Sequence, residues 1–280
     1  MIEERSAIGI ICDEHNQIMN EIVEGARVVI SERNFENTQF DIGDLCYDHN
    51  RVVLSEKTRF EDCINASYID GFKQPKAYIA TNTPDSEVAI RNFWKMVWKE
   101  QSEAIVMLNK KEKDSISYWN PKKGESLQWG DLNVKTIKVD CTLWCCHITK
   151  LLVTHKNGKR MTVNHFLFTY WQRDEILPSE CDFLTLILLI NLYKRPVMVP
   201  KSLKDSKTPI VVHCSDGLTR SMAFCAVDIA ISTIKEKGKV NLRSIVSRLR
   251  KERFDCLYDA CTYSFYYLAL YEYVSSYMKA

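Results

Sequence analysis

The sequence predicts an α/β fold in which strands and helices alternate along the chain. The clearest indication is residues 210–212, a β-branched run typical of a short buried strand, which a polar loop joins to an apolar helical run starting at Ser221. Residues 104–108 are typical of a second buried strand, and residues 86–100 are typical of a helix before it. Hydrophobic residues make up 46% of the chain, which is enough for a substantial core around these elements.

The other elements follow in order from apolar spacing and turn residues. Apolar residues at helical spacing predict a first helix over residues 15–30, and polar composition predicts a loop over residues 34–48. Asn157 and Gly158 form a hairpin signal between two later strands. The remaining predicted strands are 76–81, 133–140, 144–154 and 162–171, and the remaining predicted helices are 183–192, 242–253 and 263–277.

Composition and charge favour a single cytosolic domain over residues 1–280, because no Pro-, Gly- or Ser-rich linker interrupts the chain. The 38 basic and 36 acidic side chains leave a net charge of +2, so neither nucleic acid nor a membrane is expected as a partner. The 11 cysteines are scattered and form no Cys-x-x-Cys pair, which indicates free thiols in a reducing compartment. The N-terminus lacks a signal-peptide pattern, and the most apolar segment, residues 183–193, is too short to span a bilayer.

The loop between the strand at 210–212 and the following helix carries the chemistry. It starts with Cys214 and ends with Arg220, and loop amides beside a helix N-terminus favour an anion. A thiol in that field shifts towards thiolate, a guanidinium can grip two phosphate oxygens, and Ser221 can hydrogen-bond the sulfur. These parts suit phosphoryl transfer through a phospho-cysteine, although a buried structural cysteine in a strand–turn–helix is an alternative. The expected phosphate-binding residues are Ser215, Asp216, Gly217, Leu218, Thr219 and Arg220.

The run Val-His-Cys-Ser-x-Gly-x-x-Arg-Ser over residues 212–221 resembles the signature loop of the protein tyrosine phosphatases. Residues 47–54, 62–71 and 93–98 also resemble motifs of that family, in the family's order. The resemblance implies a highly twisted mixed β-sheet flanked by helices, a phosphotyrosine-containing protein as substrate or partner, and no metal or other cofactor. Within the family, the short length, many cysteines and eroded motifs look most like the polydnavirus (bracovirus) tyrosine phosphatases, which implies the cytoplasm of a host cell as the location.

The resemblance assigns roles to individual residues. Cys214 takes the position of the nucleophile and Arg220 that of the phosphate clamp. Ser221 takes the position of the hydroxyl that helps the sulfur leave, and His213 that of the residue that orients the phosphate cradle. Glu112 matches an acidic residue that holds the clamp arginine, and an ordinary solvated turn residue is the equal alternative.

The general acid is the first departure from the family pattern. The family has Trp-Pro-Asp where this chain has Trp171-Gln-Arg-Asp-Glu, so Arg173 stands at the position of the aspartate by direct count. An insertion would instead put Asp174 there. The acid matters because an aryl oxide leaves poorly unless it is protonated, and loss of a general acid typically costs about 100-fold to 10,000-fold in rate.

The cradle is the second departure. Asp216 replaces a small residue, and Thr219 and Met222 stand where the family has glycine. A carboxylate about 5 Å from a phosphate costs roughly 3 kcal/mol per unit charge at an effective dielectric of about 20, and it also raises the pKa of Cys214. The same change marks family members regarded as inactive towards phosphotyrosine. The alternative is that Asp216 caps the following turn and barely touches the ligand.

Two further positions concern water and substrate. Tyr258 and Thr262 fall where the family has the two glutamines that orient the hydrolytic water, so the second step is expected to slow. Phe40 is the aromatic residue nearest to the position that sandwiches the phosphotyrosine ring, but it is about one residue out of register. An unrelated loop phenylalanine is an equal interpretation.

These residues leave four hypotheses. The first is a degenerate phosphatase with very low or no turnover, which acts by binding phosphotyrosine proteins or a phosphatase's usual partner proteins. The second is an active phosphatase in which Asp174 or Glu175 is the displaced acid. The third is a binding protein whose pocket holds no phosphate, with Asp216 paired to Arg220. The fourth is a lipid-phosphate enzyme with a basic rim, formed by Lys110, Lys111, Lys122 and Lys123.

Overall fold

The computed structural model describes residues 2–21, 23, 46–54, 64–109, 116–171, 177–193 and 208–278. Within these residues the chain forms one eight-stranded sheet in the order β1-β2-β8-β3-β7-β6-β5-β4. The strands are β1 Ala66–Ile69, β2 Tyr78–Asn82, β3 Ala104–Met107, β4 Ser126–Trp129, β5 Leu132–Asp140, β6 Cys146–His155, β7 Arg160–Phe168 and β8 Ile210–Cys214.

The sheet is mixed, which confirms the predicted fold class. Its centre is parallel, because β8 pairs in parallel with β2 and β3, and β3 pairs in parallel with β7. Both margins are antiparallel, with β1 on β2 at one edge and the meander β7-β6-β5-β4 at the other. The central strand β8 is buried along its whole length, as expected for a parallel strand covered on both faces.

Six helices pack around this sheet in the described part of the chain. They are α1 Ile2–Met19, α2 Glu87–Lys99, α3 Glu180–Tyr193, α4 Arg220–Lys237, α5 Leu242–Glu252 and α6 Ala260–Tyr277. Among these residues, none of the helices is both long and apolar enough to cross a membrane. Local caps set several boundaries: Ser86 accepts from the Ala89 amide at the start of α2, and Gly238 ends α4 in the left-handed conformation at φ 67°.

The core lies on both faces of the sheet. One face packs against α1, α3, α4, α5 and α6, and the other against α2. Strand β8 contributes to both, because Ile210 and Val212 belong to the first cluster and Val211 to the second. Helix α4 is buried on most of its surface, so it fixes the position of residues 215–219, which connect it to the end of β8.

Most predicted elements are present, with shifted ends. The hairpin signal at Asn157 and Gly158 is confirmed, since β6 ends at His155 and β7 begins at Arg160. The first helix, predicted over 15–30, is confirmed only over residues 15–19: α1 occupies Ile2–Met19, and residues 20, 21 and 23 are not helical. The rest of that prediction, and the predicted loop at 34–45, lie outside the described residues. The position of α1 is decided by docking, because Glu14 accepts from the hydroxyl of Tyr267 on α6 over 2.6 Å. Strands β1 and β4 were not predicted; each has only four residues.

Candidate active site

The site lies at the carboxyl end of the central parallel strands, where β8 ends at Cys214 and residues 215–219 lead into α4. Backbone bonds from both neighbouring strands fix this point: the Thr83 amide donates to the Cys214 carbonyl over 2.8 Å, and the Leu108 amide donates to the His213 carbonyl over 3.0 Å. Open parallel sheets bind ligands at this edge.

Gly217 allows the loop to pass close to β2. Its φ is +69°, and a Cβ there would lie 2.5 Å from the backbone nitrogen of Asn82. A side chain would therefore clash with rigid backbone and also strain the residue's own conformation. The loop needs glycine at this one position to keep its curvature.

The side chain of Asp216 forms hydrogen bonds with other residues of this loop. Its Oδ1 accepts from the Cys214 thiol over 2.9 Å and from the amides of Leu218 and Thr219 over 2.9 and 3.3 Å. Its Oδ2 accepts from the Thr219 hydroxyl over 2.8 Å. One carboxylate oxygen thus touches the sulfur and two loop amides together, which is the environment that the sequence predicted for a bound anion. Asp216 therefore caps the turn and contacts the sulfur at once, and whether it barely touches a bound ligand stays a prediction.

The negative charge of the Cys214–Asp216 pair lies on the carboxylate and not on the sulfur. Burial raises the pKa of Cys214 to about 11, the negative Asp216 adds to the rise, and the Ser221 hydroxyl that donates to the sulfur over 3.0 Å opposes it. At pH 7 this corresponds to about one thiolate in 10,000 molecules. The loop amides therefore do not shift the thiol towards thiolate, because burial raises its pKa most and Asp216 raises it further. The prediction that Asp216 raises the pKa of Cys214 is confirmed.

Asp216 itself is the stable anion. Burial alone would raise its pKa, but the hydrogen bonds from Cys214, from the Leu218 amide and from Thr219 lower that pKa below the ordinary value. A hydrogen bond to the charged form stabilises that form. The proton of the pair therefore stays on Cys214 at neutral pH.

Arg220 is half-buried at the start of α4. Its Nη1 donates to the carbonyl of Leu108 over 3.4 Å and to the carbonyl of Trp171 over 3.2 Å, and its guanidinium carbon lies 5.6 Å from the centre of the Trp171 ring. Burial lowers the pKa of Arg220, while the negative Asp216, and Cys214 once it has lost its proton at high pH, oppose that fall. Sequence reasoning missed the contribution of Trp171, whose backbone and ring hold the guanidinium beside the loop.

His213, directly before the nucleophile position, faces away from solvent. Its Nε2 lies 2.7 Å from the Tyr118 hydroxyl and its Nδ1 lies 3.0 Å from the Thr83 hydroxyl. Burial, and then the neighbouring His165, lower the pKa of His213 well below its ordinary value, so the ring is neutral. The sequence pointed to His213, but Tyr118 and Thr83 carried no signal that linked them to it.

Comparison with protein-family models matches residues 41–272 to the model described as protein-tyrosine phosphatase. The chain belongs to the protein-tyrosine phosphatase family. The match covers both the loop after β8 and the motifs that precede it along the chain, so the resemblance noted in the sequence is confirmed.

Relatives of this phosphatase-family chain include viral and cellular proteins. Tyrosine phosphatase H2 of Microplitis demolitor bracovirus is 30% identical over 98% of this chain and 86% of that protein. Tyrosine phosphatase-like protein J1 of the same virus is 31% identical over 94% of this chain and 89% of that protein. The human tyrosine-protein phosphatase non-receptor type 9 is 32% identical over 94% of this chain, which spans 46% of that longer protein. Bracovirus-type relatives were expected from the sequence, and they are confirmed.

Tyr258 lies in the loop between α5 and α6, and Thr262 lies in the first turn of α6. The Thr262 hydroxyl donates to the Asp259 carboxylate, which also accepts from the Thr262 amide over 2.6 Å, so Thr262 helps to cap α6. Tyr258 is 51% exposed to solvent. Neither residue makes a described contact with Cys214. The loop reaches the cradle through the buried Arg253 instead, whose Nε donates to the Gly217 carbonyl over 3.3 Å, and this residue was missed by sequence reasoning.

Several predicted site residues lie outside the described part of the structure. They are Phe40, Glu112, Arg173, Asp174 and Glu175, together with Lys110 and Lys111. Their roles in substrate binding, clamp support and proton donation therefore stay predictions from the sequence. Ser215 is described, and it is exposed at the start of the loop.

Proposed function

We propose that this protein-tyrosine phosphatase family member is degenerate. It keeps the cysteine and the arginine of a phosphate cradle, hydrolyses phosphotyrosine very slowly or not at all, and acts by binding phosphotyrosine-containing proteins or the partner proteins of a phosphatase. The observation that supports this most strongly is the carboxylate of Asp216, 2.9 Å from the sulfur of Cys214 and on two amides of the loop.

The position of Asp216 sets a cost on phosphate binding. If the carboxylate leaves, it gives up hydrogen bonds to a charged group, each worth about 1.5–3 kcal/mol. If it stays within about 5 Å of the phosphate, the repulsion is roughly 3 kcal/mol per unit charge at an effective dielectric of about 20. Either route lowers affinity for a phosphate group by on the order of a hundredfold. Binding of a phosphotyrosine protein then depends on Arg220 and on contacts outside the cradle.

The protonated sulfur supports low turnover. Transfer of the phosphoryl group to cysteine requires the thiolate, which forms a sulfur–phosphorus bond as the tyrosyl oxygen leaves. The raised pKa of Cys214, at about 11, makes that thiolate rare at neutral pH. The replacements at positions 258 and 262 weaken the second step as well, because neither side chain is an amide that could orient water.

The test is hydrolysis of a phosphotyrosine peptide by the wild-type protein beside the Cys214→Ser and Asp216→Ala variants. We expect wild-type turnover at the level of Cys214→Ser, and tighter binding of the peptide to Asp216→Ala. Wild-type turnover well above Cys214→Ser would reject the degenerate enzyme. In that case a further loss of rate in Asp174→Ala would support the active alternative with Asp174 as the general acid.

We also propose that residues 1–280 form one tyrosine-phosphatase-like domain that works in the cytoplasm, of a host cell if the gene is viral. The family match at 41–272 supports the first part, together with α1, which precedes that match and accepts hydrogen bonds from Arg243 of α5 and Tyr267 of α6. The bracovirus and non-receptor relatives support the second part. Limited proteolysis and fractionation of expressing cells test the two parts separately.

A further inference from the structure

A chain of hydrogen bonds runs behind the cradle and joins the ends of four strands. His165 Nε2 on β7 lies 2.7 Å from the Tyr118 hydroxyl, which lies 2.7 Å from His213 Nε2 on β8. His213 Nδ1 lies 3.0 Å from the Thr83 hydroxyl, just after β2, and that hydroxyl lies 3.0 Å from Asn109 Oδ1, just after β3. All the bonds are buried or partly buried, so solvent does not set their direction.

The contact with Asn109 fixes the direction at one end. The amide oxygen of Asn109 can only accept, so the single hydroxyl proton of Thr83 points to it. Thr83 must then accept from His213, which places a proton on Nδ1. Because His213 is neutral, its Nε2 carries a lone pair and accepts from the Tyr118 hydroxyl. Tyr118 in turn accepts from the Nε2 proton of His165.

The His165 end of this chain of hydrogen bonds agrees with the same direction. Burial lowers the pKa of His165 to about 3, and an interaction with its own backbone opposes the fall only in part, so this ring is neutral too. Among the residues that the structure describes, its buried Nδ1 has no partner in hydrogen-bond geometry. The opposite direction would place a proton on that nitrogen, and buried N–H groups without acceptors are rarer in folded proteins than buried acceptors without donors.

We propose that Thr83 is a positioning residue that fixes His213 as the Nδ1-protonated tautomer and, through Tyr118, fixes His165 as the Nε2-protonated tautomer. Thr83 also donates its backbone amide to the Cys214 carbonyl over 2.8 Å, so one residue holds both the ring of His213 and the backbone of Cys214. A second proton on His213 would leave the Tyr118 hydroxyl only the weak acceptor Met107 Sδ, at 3.9 Å, for its own proton. The inference goes beyond the proposed function, since it holds whether or not the cradle turns over phosphate.

Long-range proton–nitrogen correlation spectra of the uniformly nitrogen-15-labelled full chain test the proposal, because protonated and bare ring nitrogens give well-separated shifts. In the wild type we expect a protonated Nδ1 on His213 and a protonated Nε2 on His165. Thr83→Val keeps the shape of the side chain and removes the hydroxyl. We expect it to remove the preference for one direction, so that both tautomers of each ring are populated, because either direction then leaves one buried ring N–H without an acceptor. The change at His165 is separated from residue 83 by His213 and Tyr118.

Two variants control for general disturbance. Thr83→Ser restores a hydroxyl and should restore the wild-type pattern. Thr81→Val, on the same strand, removes a hydroxyl that donates to the Asn65 carbonyl over 2.8 Å, and it should leave both histidines unchanged. A wild-type His213 protonated on Nε2 overturns the proposal, as does a folded Thr83→Val protein with unchanged tautomers. If Thr83→Val does not fold, the wild-type and Thr83→Ser spectra decide. No outcome depends on phosphatase turnover, so the failure of either proposal leaves the other measurable.

Discussion

Two polar clusters flank Cys214, and they are built in opposite ways. In front, Asp216 carries a charge, and its partners lie within three residues of it along the chain. Behind, His213, Tyr118 and Thr83 are neutral, and the bonds of His213 connect residues 95 and 130 positions away. The front cluster is local and charged, so a ligand or a single substitution can rearrange it. The rear cluster is distributed over several strands, so the sheet holds its members in place.

The largest expected effect concerns the reactivity of Cys214 in the front cluster. Below a pKa of about 11 the group is mostly thiol, and the thiolate fraction rises about tenfold per pH unit. Alkylation of Cys214 should therefore increase without a plateau from pH 7 to pH 10, by on the order of a thousandfold. Mass spectrometry of the Cys214 peptide follows the rate, with Cys214→Ser as the blank. A plateau near pH 7 would contradict the assignment of the proton to sulfur.

The next effect is on anion binding. Asp216→Ala removes the carboxylate from two loop amides and from the sulfur, so affinity for vanadate should rise by about a hundredfold, for the roughly 3 kcal/mol of repulsion removed. Isothermal titration calorimetry measures it. Asp131→Ala is the matched control, because that carboxylate pairs with Lys156 on the surface. Equal vanadate affinity in the wild type and in Asp216→Ala would mean that Asp216 does not compete with the ligand.

The rear cluster should respond in stability and not in binding. Tyr118→Phe leaves Nε2 of His213 and Nε2 of His165 buried without their shared partner. At about 1–3 kcal/mol for each of the two unsatisfied groups, we expect the free energy of unfolding to fall by about 2–6 kcal/mol. Denaturant titration measures this, beside Tyr271→Phe at an exposed tyrosine, which should change stability by less than about 0.5 kcal/mol. A loss of unfolding free energy as small as that of Tyr271→Phe would show that the hydrogen bonds of Tyr118 contribute little to stability.

The smallest expected change in the reactivity of Cys214 comes from a substitution at Ser221, whose hydroxyl donates to the sulfur. Ser221→Ala removes the hydroxyl that donates to Cys214 over 3.0 Å, so the pKa of Cys214 should rise further, by about one unit or less for a bond of about 1 kcal/mol. The alkylation rate at pH 9 should fall by no more than about tenfold. Ser215→Ala, at the exposed loop serine, should leave the rate unchanged. A faster rate in Ser221→Ala would reverse the sign of this contribution.

The two clusters also differ in how far sequence reasoning reached them. One short segment contains Cys214, Asp216 and Arg220, so their spacing predicted that they share one site. Thr83 follows β2 and Asn109 follows β3, and the parallel pairing of both strands with β8 brings these two residues together beside His213. Tyr118 reaches His213 from the segment between β3 and β4. The sequence also could not predict where the Arg220 guanidinium lies, because the carbonyls that accept from it belong to residues 49 and 112 positions away.

The sequence alone determined the strand, loop and helix around Cys214, because apolar periodicity and short-range spacing are properties of neighbouring residues. It also determined the family, since several motifs occur in one order. Only the tertiary structure decided that Asp216 faces the sulfur while capping the turn, because the rotamer of a side chain depends on the donors around it. The tertiary structure likewise decided that the first helix occupies Ile2–Met19, where contacts with α5 and α6 outweigh local apolar spacing. Burial, and hence the proton on Cys214, exists only once distant strands and helices close around the loop.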